Sequence, residues 1–207
     1  MSVRLIDPVE SPALRALRAL LDAGLARRPR VALDRSDLVS AAVLVPITDR
    51  DGRPHLVFTK KSDGVPHHKG QFSFPGGVVE QRDASRVEAA LREAWEEIRL
   101  PAQAVEVLGL LDDTETRATS FIITPVVGIV TEHVELVPDG REIERVIEVP
   151  LDTLADPAIF RAETWTRGGE EHEVYFYQVS PDDVVWGATA RIVKQFLDLL
   201  AEESQRG

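Results

Sequence analysis

The sequence predicts an α+β fold, and three observations predict it. Strand-like segments follow one another through short turns, helical periodicity is confined to a few separate places, and strand–helix–strand alternation does not recur along the chain. Taken in order, residues 10–26 (ESPALRALRALLDAGLA) carry Leu14, Leu17, Leu20, Leu21 and Leu25 at helical spacing. Ser11 is available as the N-cap before Pro12 at the first helical position. After a basic linker, 40–48 (SAAVLVPIT) and 55–61 (HLVFTKK) read as two strands joined at Asp51-Gly52, a hairpin signal. A short apolar run then meets the Pro75-Gly76-Gly77 turn, and a helix begins near Ser85. Residues 104–113 and 120–130 are rich in β-branched and apolar side chains, with the polar TETRAT segment read as the loop between them. Residues 146–154 read as an extended stretch ending in a short helical turn, and 170–179 as another strand. The last helix is expected to open at Pro181, Asp182 and Asp183, where negative charge suits the helix dipole.

With 207 residues and 43% hydrophobic content, the chain suits one domain spanning 1–207, in which 1–36 is an N-terminal helical extension and 37–207 the core with its C-terminal helix. The absence of cysteine excludes disulfides, thiolate zinc sites and cysteine nucleophiles, and it fits a reducing compartment. No apolar run approaches the roughly 18–20 residues that span a bilayer, and MSVRLIDPVE lacks a signal-peptide core, so a soluble cytoplasmic protein with no membrane partner is expected. A net charge of -11 argues against nucleic acid as a partner. An anionic substrate would need local help from a bound cation or from clusters such as Lys60-Lys61 and Arg27-Arg28-Pro29-Arg30.

Chemistry concentrates between residues 71 and 100. A helix from Ser85 places Val87, Leu91, Ala94 and Ile98 in one inward stripe, with Glu93, Glu96 and Glu97 together on a different face, roughly 130° or more away. Arg92 flanks Glu96 and could pair with it, with Asp83 or with Glu80, holding the acids in position. A solvated helix with scattered i,i+4 pairs is the competing reading, but from Leu91 to Ile98 three Glu face a single Arg, which calls for a cation. The Gly76-Gly77 turn lets backbone approach and offers carbonyl oxygens, and an all-oxygen donor set favours magnesium or manganese over zinc. His67 and His68 read as loop residues and Trp186 as a core residue.

Residues 77–100 resemble the Nudix box: a Gly, five residues, Glu, seven residues, then Arg-Glu-apolar-any-Glu-Glu-any-Gly-apolar. Gly77, Arg92, Glu93, Ala94, Glu96, Glu97 and Leu100 match. Asp83 stands for the first Glu, eight residues rather than seven separate it from Arg92, and Arg99 replaces the second Gly. The similarity extends through LVFTKKSDGVPHHKGQFSFPGG (56–77) and later through ITPVVGIV, EIERVIEVPL and VVWGATA, where it is closest to the coenzyme A pyrophosphatase branch. Lys61 and Pro66 stand where that branch has arginines, which removes bidentate phosphate recognition at those positions.

The resemblance implies a Nudix fold, a mixed β-sheet sandwiched between helices, and a metal-dependent hydrolysis of a pyrophosphate bond. It implies that Gly76 (through its carbonyl), Glu93, Glu96 and Glu97 bind Mg2+ or Mn2+, that Glu93 is a ligand or the base that orients water, that Arg92 orients the acids, and that Glu142 supplies a further acid from a late loop. A coenzyme A substrate would give 3',5'-adenosine bisphosphate and 4'-phosphopantetheine or its acyl derivative, with Lys60, Lys61 or Lys69 near the extra phosphate. Two alternatives accompany this reading: a Nudix pyrophosphatase for ADP-ribose or another nucleoside diphosphate derivative, and a non-catalytic ligand-binding module. A homodimer is compatible with the family.

Overall fold

The computed structural model describes residues 10–62, 70–116 and 120–206. Along the chain run α1 (Pro12–Arg27), β1 (Val39–Arg50), β2 (Arg53–Lys61), β3 (Phe72–Ser73), β4 (Gly76–Val78), α2 (Arg86–Ile98), β5 (Val105–Leu110), β6 (Thr114–Thr116), β7 (Phe121–Val130) and β8 (Ile143–Pro150). They are followed by α3 (Leu151–Leu154), β9 (Phe160–Arg167), β10 (Glu170–Gln178), β11 (Val184–Trp186) and α4 (Gly187–Ser204). The central sheet has the order β3-β2-β1-β7-β5, with β4 added to β1, β6 to β7 and β8 to β2. It is mixed: β1 runs parallel to β7 and antiparallel to β2 and β4. A second sheet, β11-β10-β9, is antiparallel.

Period-2 alternation divides the central strands between two cores. Leu56 and Phe58 face Leu14, Leu17 and Leu21 of α1 and Val193, Phe196 and Leu199 of α4. Val57, Ala42 and Leu44 face Ala89, Ala90, Ala94 and Ile98 of α2. The mixed sheet is therefore sandwiched between helices, as expected. Ser11 caps α1 by accepting the Leu14 N–H at 3.1 Å, and Asp51 and Gly52 turn the first hairpin with φ of 53° and 77°.

Four elements differ from the sequence reading. Gly76 and Gly77 form strand rather than turn, in register with Val43 and Ala42. The start of TETRAT is strand β6, paired with β7, because Thr114–Thr116 can continue the edge that Phe121–Ile123 offers. Residues 160–167, unassigned from sequence, form β9, which Gly168 and Gly169 (φ 62° and 84°) turn back onto β10. The final helix begins at Gly187 rather than at 181–183: Val184–Trp186 pair with β10, and Asp183 instead accepts from the Arg145 guanidinium at 2.5 Å.

Because Leu21 is fully buried between α1, α4 and the sheet, Leu21→Ala is expected to cost about 2–5 kcal/mol. At roughly 2–4 °C per kcal/mol for a chain of this size, thermal denaturation reads it directly; an unchanged midpoint would show that α1 is not part of the folded unit.

Candidate active site

Helix α2 is fixed at its start by a reciprocal cap. The Ser85 hydroxyl accepts the Glu88 N–H at 3.1 Å, and the Glu88 carboxylate accepts the Ala84 N–H at 2.7 Å. Its buried face carries Ala89, Ala90, Ala94, Glu97 and Ile98, while Val87 and Leu91 are only partly covered. The inward wedge is thus centred on alanines, whose small side chains let α2 seat closely on the sheet. This corrects the placement of Glu97: it lies on the buried face, not with Glu96 on an outward patch, and only 5% of it is exposed. On the ~100° per residue of a helix, Glu97 falls about 20° from Ala90, on the side toward Glu93.

The glycines explain how carboxylates reach the backbone there. A Cβ on Gly76 would lie 2.6 Å from Val43 Cα, and one on Gly77 would lie 2.5 Å from Glu93 Oε1. Without side chains, Gly76 donates its N–H to Glu97 Oε2 at 3.2 Å and Gly77 leaves room for the Glu93 carboxylate.

Arg92 is the hub of the acids. It makes a two-pronged pair with Asp83 (2.9 Å on both nitrogens), meets Glu93 at 2.8 Å and Glu96 at 3.1 Å, and donates to the Val78 carbonyl at 3.1 Å. Glu80 lies further off, at 3.8 Å. Asp83 also accepts the Glu80 N–H at 2.8 Å, and the Arg92 hydrogen bond holds its carboxyl down at about 2.

Glu142 arrives from the loop before β8. Asp139 folds that loop by accepting the N–H groups of Arg141, Glu142 and Ile143. Its own N–H donates to the Glu97 carbonyl at 2.9 Å, and Val137 N–H donates to the Ile98 carbonyl at 3.0 Å, so the loop is attached to the end of α2. Ser62 holds the other side, through its N–H to the Glu142 carbonyl at 2.8 Å and its hydroxyl to the Arg141 carbonyl at 2.9 Å. Lys61 Nζ pairs with Glu142 and stands 3.6 Å from Glu97 Oε1.

Burial pushes the Glu97 carboxyl up to about 8; Lys61 and the Gly76 N–H oppose the rise, and the charges of Glu93 and Glu142 add to it. Burial likewise raises Glu93, partly offset by Arg92 and reinforced by Glu96 and Glu142. Burial disfavours the Lys61 charge, but Glu97 and Glu142 more than compensate and keep it cationic. Four carboxylates thus share one electrostatic neighbourhood with three cations, Arg92, Lys61 and Arg82, that do not neutralise it.

The structure brings together Gly76, Arg92, Glu93, Glu96, Glu97, Glu142 and Lys61. Lys60 belongs with Phe58 and Leu56 to the other side of β2 and has no contact with the acids. Lys69, with Pro66, His67 and His68, lies outside the described residues. Among the described residues no three carboxylates form a ready cage; Arg92 stands between Glu93 and Glu96, and Lys61 between Glu97 and Glu142. The donor set nonetheless fits a hard divalent cation: every donor is oxygen, and a buried carboxyl raised to about 8 is one that an added positive charge would favour in its ionised form. Sequence reasoning missed Asp139, whose Asp-Gly pair before Arg141 was the available sign of a turn.

Residues 38–168 match the NUDIX domain family. Two relatives, each named "Uncharacterized Nudix hydrolase NudL", come from Enterobacter sp. (strain 638) and Photorhabdus laumondii. The first is 36% identical over 170 residues, covering 81% of this chain and 86% of the relative. The second is 37% identical over 155 residues, covering 75% and 81%. A crystal structure of a MutT/nudix family protein from Enterococcus faecalis superposes with a TM-score of 0.54 at 14% identity, over 82% of this chain and 64% of that one, which shows the shared fold. The chain belongs to the Nudix hydrolase family and is a pyrophosphohydrolase.

Gly77→Ala, which must displace the Glu93 carboxylate, is expected to lower turnover about 100-fold while costing about 1–3 kcal/mol in stability; full activity would show that Glu93 has freedom to move. A second expectation concerns pH. Glu97 folds with its pKa raised from 4.5 to about 8, so its contribution to stability is complete below 4.5 and is lost as pH climbs through 8. In EDTA-treated protein, Glu97→Gln should match the wild type near pH 5 and exceed it by about 1–3 kcal/mol above pH 8. Parallel stability–pH curves for the two proteins would refute the assignment.

Proposed function

We propose that the protein hydrolyses the pyrophosphate bond of coenzyme A or its thioesters, releasing 3',5'-adenosine bisphosphate and 4'-phosphopantetheine or its acyl derivative. The observation that carries the hydrolytic part is the placing of Glu93 and Glu96 on Arg92 and of Glu97 and Glu142 on Lys61, with Glu97 also held by the Gly76 N–H. The coenzyme A part rests on the likeness of residues 56–77 to that branch, in which Thr59, Ser62, Gly70, Phe74, Pro75, Gly76 and Gly77 match. On this reading the whole chain works as one domain, with the residues before 37 as its helical extension.

Glu93, Glu96, Glu97 and the Gly76 carbonyl would hold Mg2+ or Mn2+. Such a cation, when bound, neutralises charge on the diphosphate and lowers the pKa of water. The chain's own residues do the rest. Arg92 keeps Glu93 and Glu96 in register by gripping Asp83 and the Val78 carbonyl. Glu142 or Glu93 takes the proton of the attacking water as its oxygen bonds to one phosphorus, and the bridging oxygen departs with the other phosphate. Lys61, between Glu97 and Glu142, limits repulsion among the acids and presents an ammonium beside the reacting phosphates.

One observation favours a second reading. Lys61, the residue that stands for a branch arginine, is engaged by Glu97 and Glu142 and so is not free to grip a distant phosphate. This keeps ADP-ribose or another nucleoside diphosphate derivative as the alternative substrate.

The test is a panel of coenzyme A, acetyl-coenzyme A, ADP-ribose, NADH and a diadenosine polyphosphate with Mg2+ or Mn2+, products identified by mass. Release of 3',5'-adenosine bisphosphate is expected; preference for ADP-ribose would move the substrate and leave the chemistry. Outer-sphere partners of a metal are worth 10–100-fold in activity, so loss of a ligand in Glu97→Gln is expected to reduce turnover by roughly 100-fold or more. Retained activity there would remove Glu97 from the ligand set.

A further inference from the structure

Helix α2 ends at Arg99, whose backbone lies in the left-handed region (φ 59°, ψ 28°) where glycine is the favoured residue. Placing a long cation there costs on the order of 1 kcal/mol, and its guanidinium lies 5.7 Å from the centre of the Trp95 ring. It lines a cleft of about 370 Å3 together with Glu96, Asp139 and Arg141. Among the described residues, the Arg99 and Arg141 side chains make no hydrogen bond and no ion pair. The two acids of the cleft are already engaged: Glu96 by Arg92 at 3.1 Å and Arg82 at 3.3 Å, and Asp139 by three backbone N–H groups. In a chain of net charge -11, two guanidinium groups without a direct hydrogen bond or ion pair among the described residues therefore share one cleft at the edge of the carboxylate site, where Arg141 also feels the charge of Asp139.

We propose that Arg99 and Arg141 form an anion subsite for a phosphate monoester that the nucleotide substrate carries outside the diphosphate being cleaved. This deepens the coenzyme A reading and rests on it, since the 3'-phosphate of coenzyme A is such a group; a nucleotide with a 2'-phosphate would present the same chemistry. A phosphate monoester carries close to two negative charges at neutral pH and takes guanidinium donors in pairs. Both arginines line the one cleft, as a single ligand requires. Arg99 follows Glu96 by three residues, roughly 4.5 Å of helical rise, and Arg141 precedes Glu142 directly, so both cations adjoin acids of the hydrolytic site. Lys61 is held by Glu97 and Glu142 and is therefore not free for the extra phosphate.

The experiment compares substrates that differ by one phosphate: coenzyme A against dephospho-coenzyme A, and NADPH against NADH. Wild type is expected to favour the phosphate-bearing member of a pair in kcat/KM. Arg99→Gly, which suits the left-handed backbone, and Arg141→Gln should each cut that preference roughly tenfold. Calorimetric binding of 3',5'-adenosine bisphosphate against 5'-AMP reads the same difference without turnover, with the same loss expected in the variants. A preference unaltered in both variants, by kinetics and by calorimetry, overturns the subsite and leaves the arginines as surface charge. Failure of the coenzyme A reading looks different: the wild type would cleave neither coenzyme A nor dephospho-coenzyme A, and the NADPH/NADH pair and calorimetry would then decide the subsite alone.

Discussion

The site depends on one steric constraint, the close seating of α2 on β4 and β1. Fully buried Ala89, Ala90 and Ala94 on the helix, and Gly76 and Gly77 on the strand, remove the side chains that would hold the two apart. A Cβ at Gly76 would meet Val43, and one at Gly77 would meet Glu93. Glycine in a strand ordinarily weakens it; here β4 is only three residues long and borrows its pairing from β1. The close approach puts Glu97 against a backbone N–H and beneath the sheet surface, where its charge is costly and therefore available to a cation.

Electrostatics follow from that placement. An exposed pair contributes little because water screens it, but Glu97 is covered and its partner Lys61 has only 17% of its side chain exposed. Arg92 is similarly enclosed, at 13%, and spreads one charge over Asp83, Glu93 and Glu96. Cations are present in number enough to hold the acids in place and too few to neutralise them. Such an imbalance works against stability and in favour of binding positive charge, a trade expected where a fold serves chemistry.

The amphipathic α1, the Asp51-Gly52 hairpin and the Ser85 cap were legible because each depends on residues near in sequence. So was the acid pattern of α2, including the Asp83–Arg92 pairing across a lengthened loop. Glu97 was misread because periodicity was anchored on the larger Val87 and Leu91, while the real wedge is set by alanines and by what the sheet can accept. β9, β11 and the start of α4 escaped for a related reason: Phe160–Arg167 and Val184–Trp186 become strands through β10, a partner that no local pattern names. Lys61's engagement by Glu97 and Glu142 is of the same kind, since β2, α2 and the 139–142 loop meet only in three dimensions.

The end of α2 shows how a routine need of helices became part of the site. The last carbonyls of a helix lack intrahelical donors, and here the Glu97 and Ile98 carbonyls receive the N–H groups of Asp139 and Val137. The same loop then spends Asp139 on its own backbone and turns at Gly140 (φ 71°) to deliver Glu142 to Lys61. The helix that supplies Glu93, Glu96 and Glu97 therefore also anchors the segment that supplies Glu142. Distances among the acids are set by one rigid element and the backbone bonded to its end, and Arg99, at that junction, is positioned by the same bonds that position the acids.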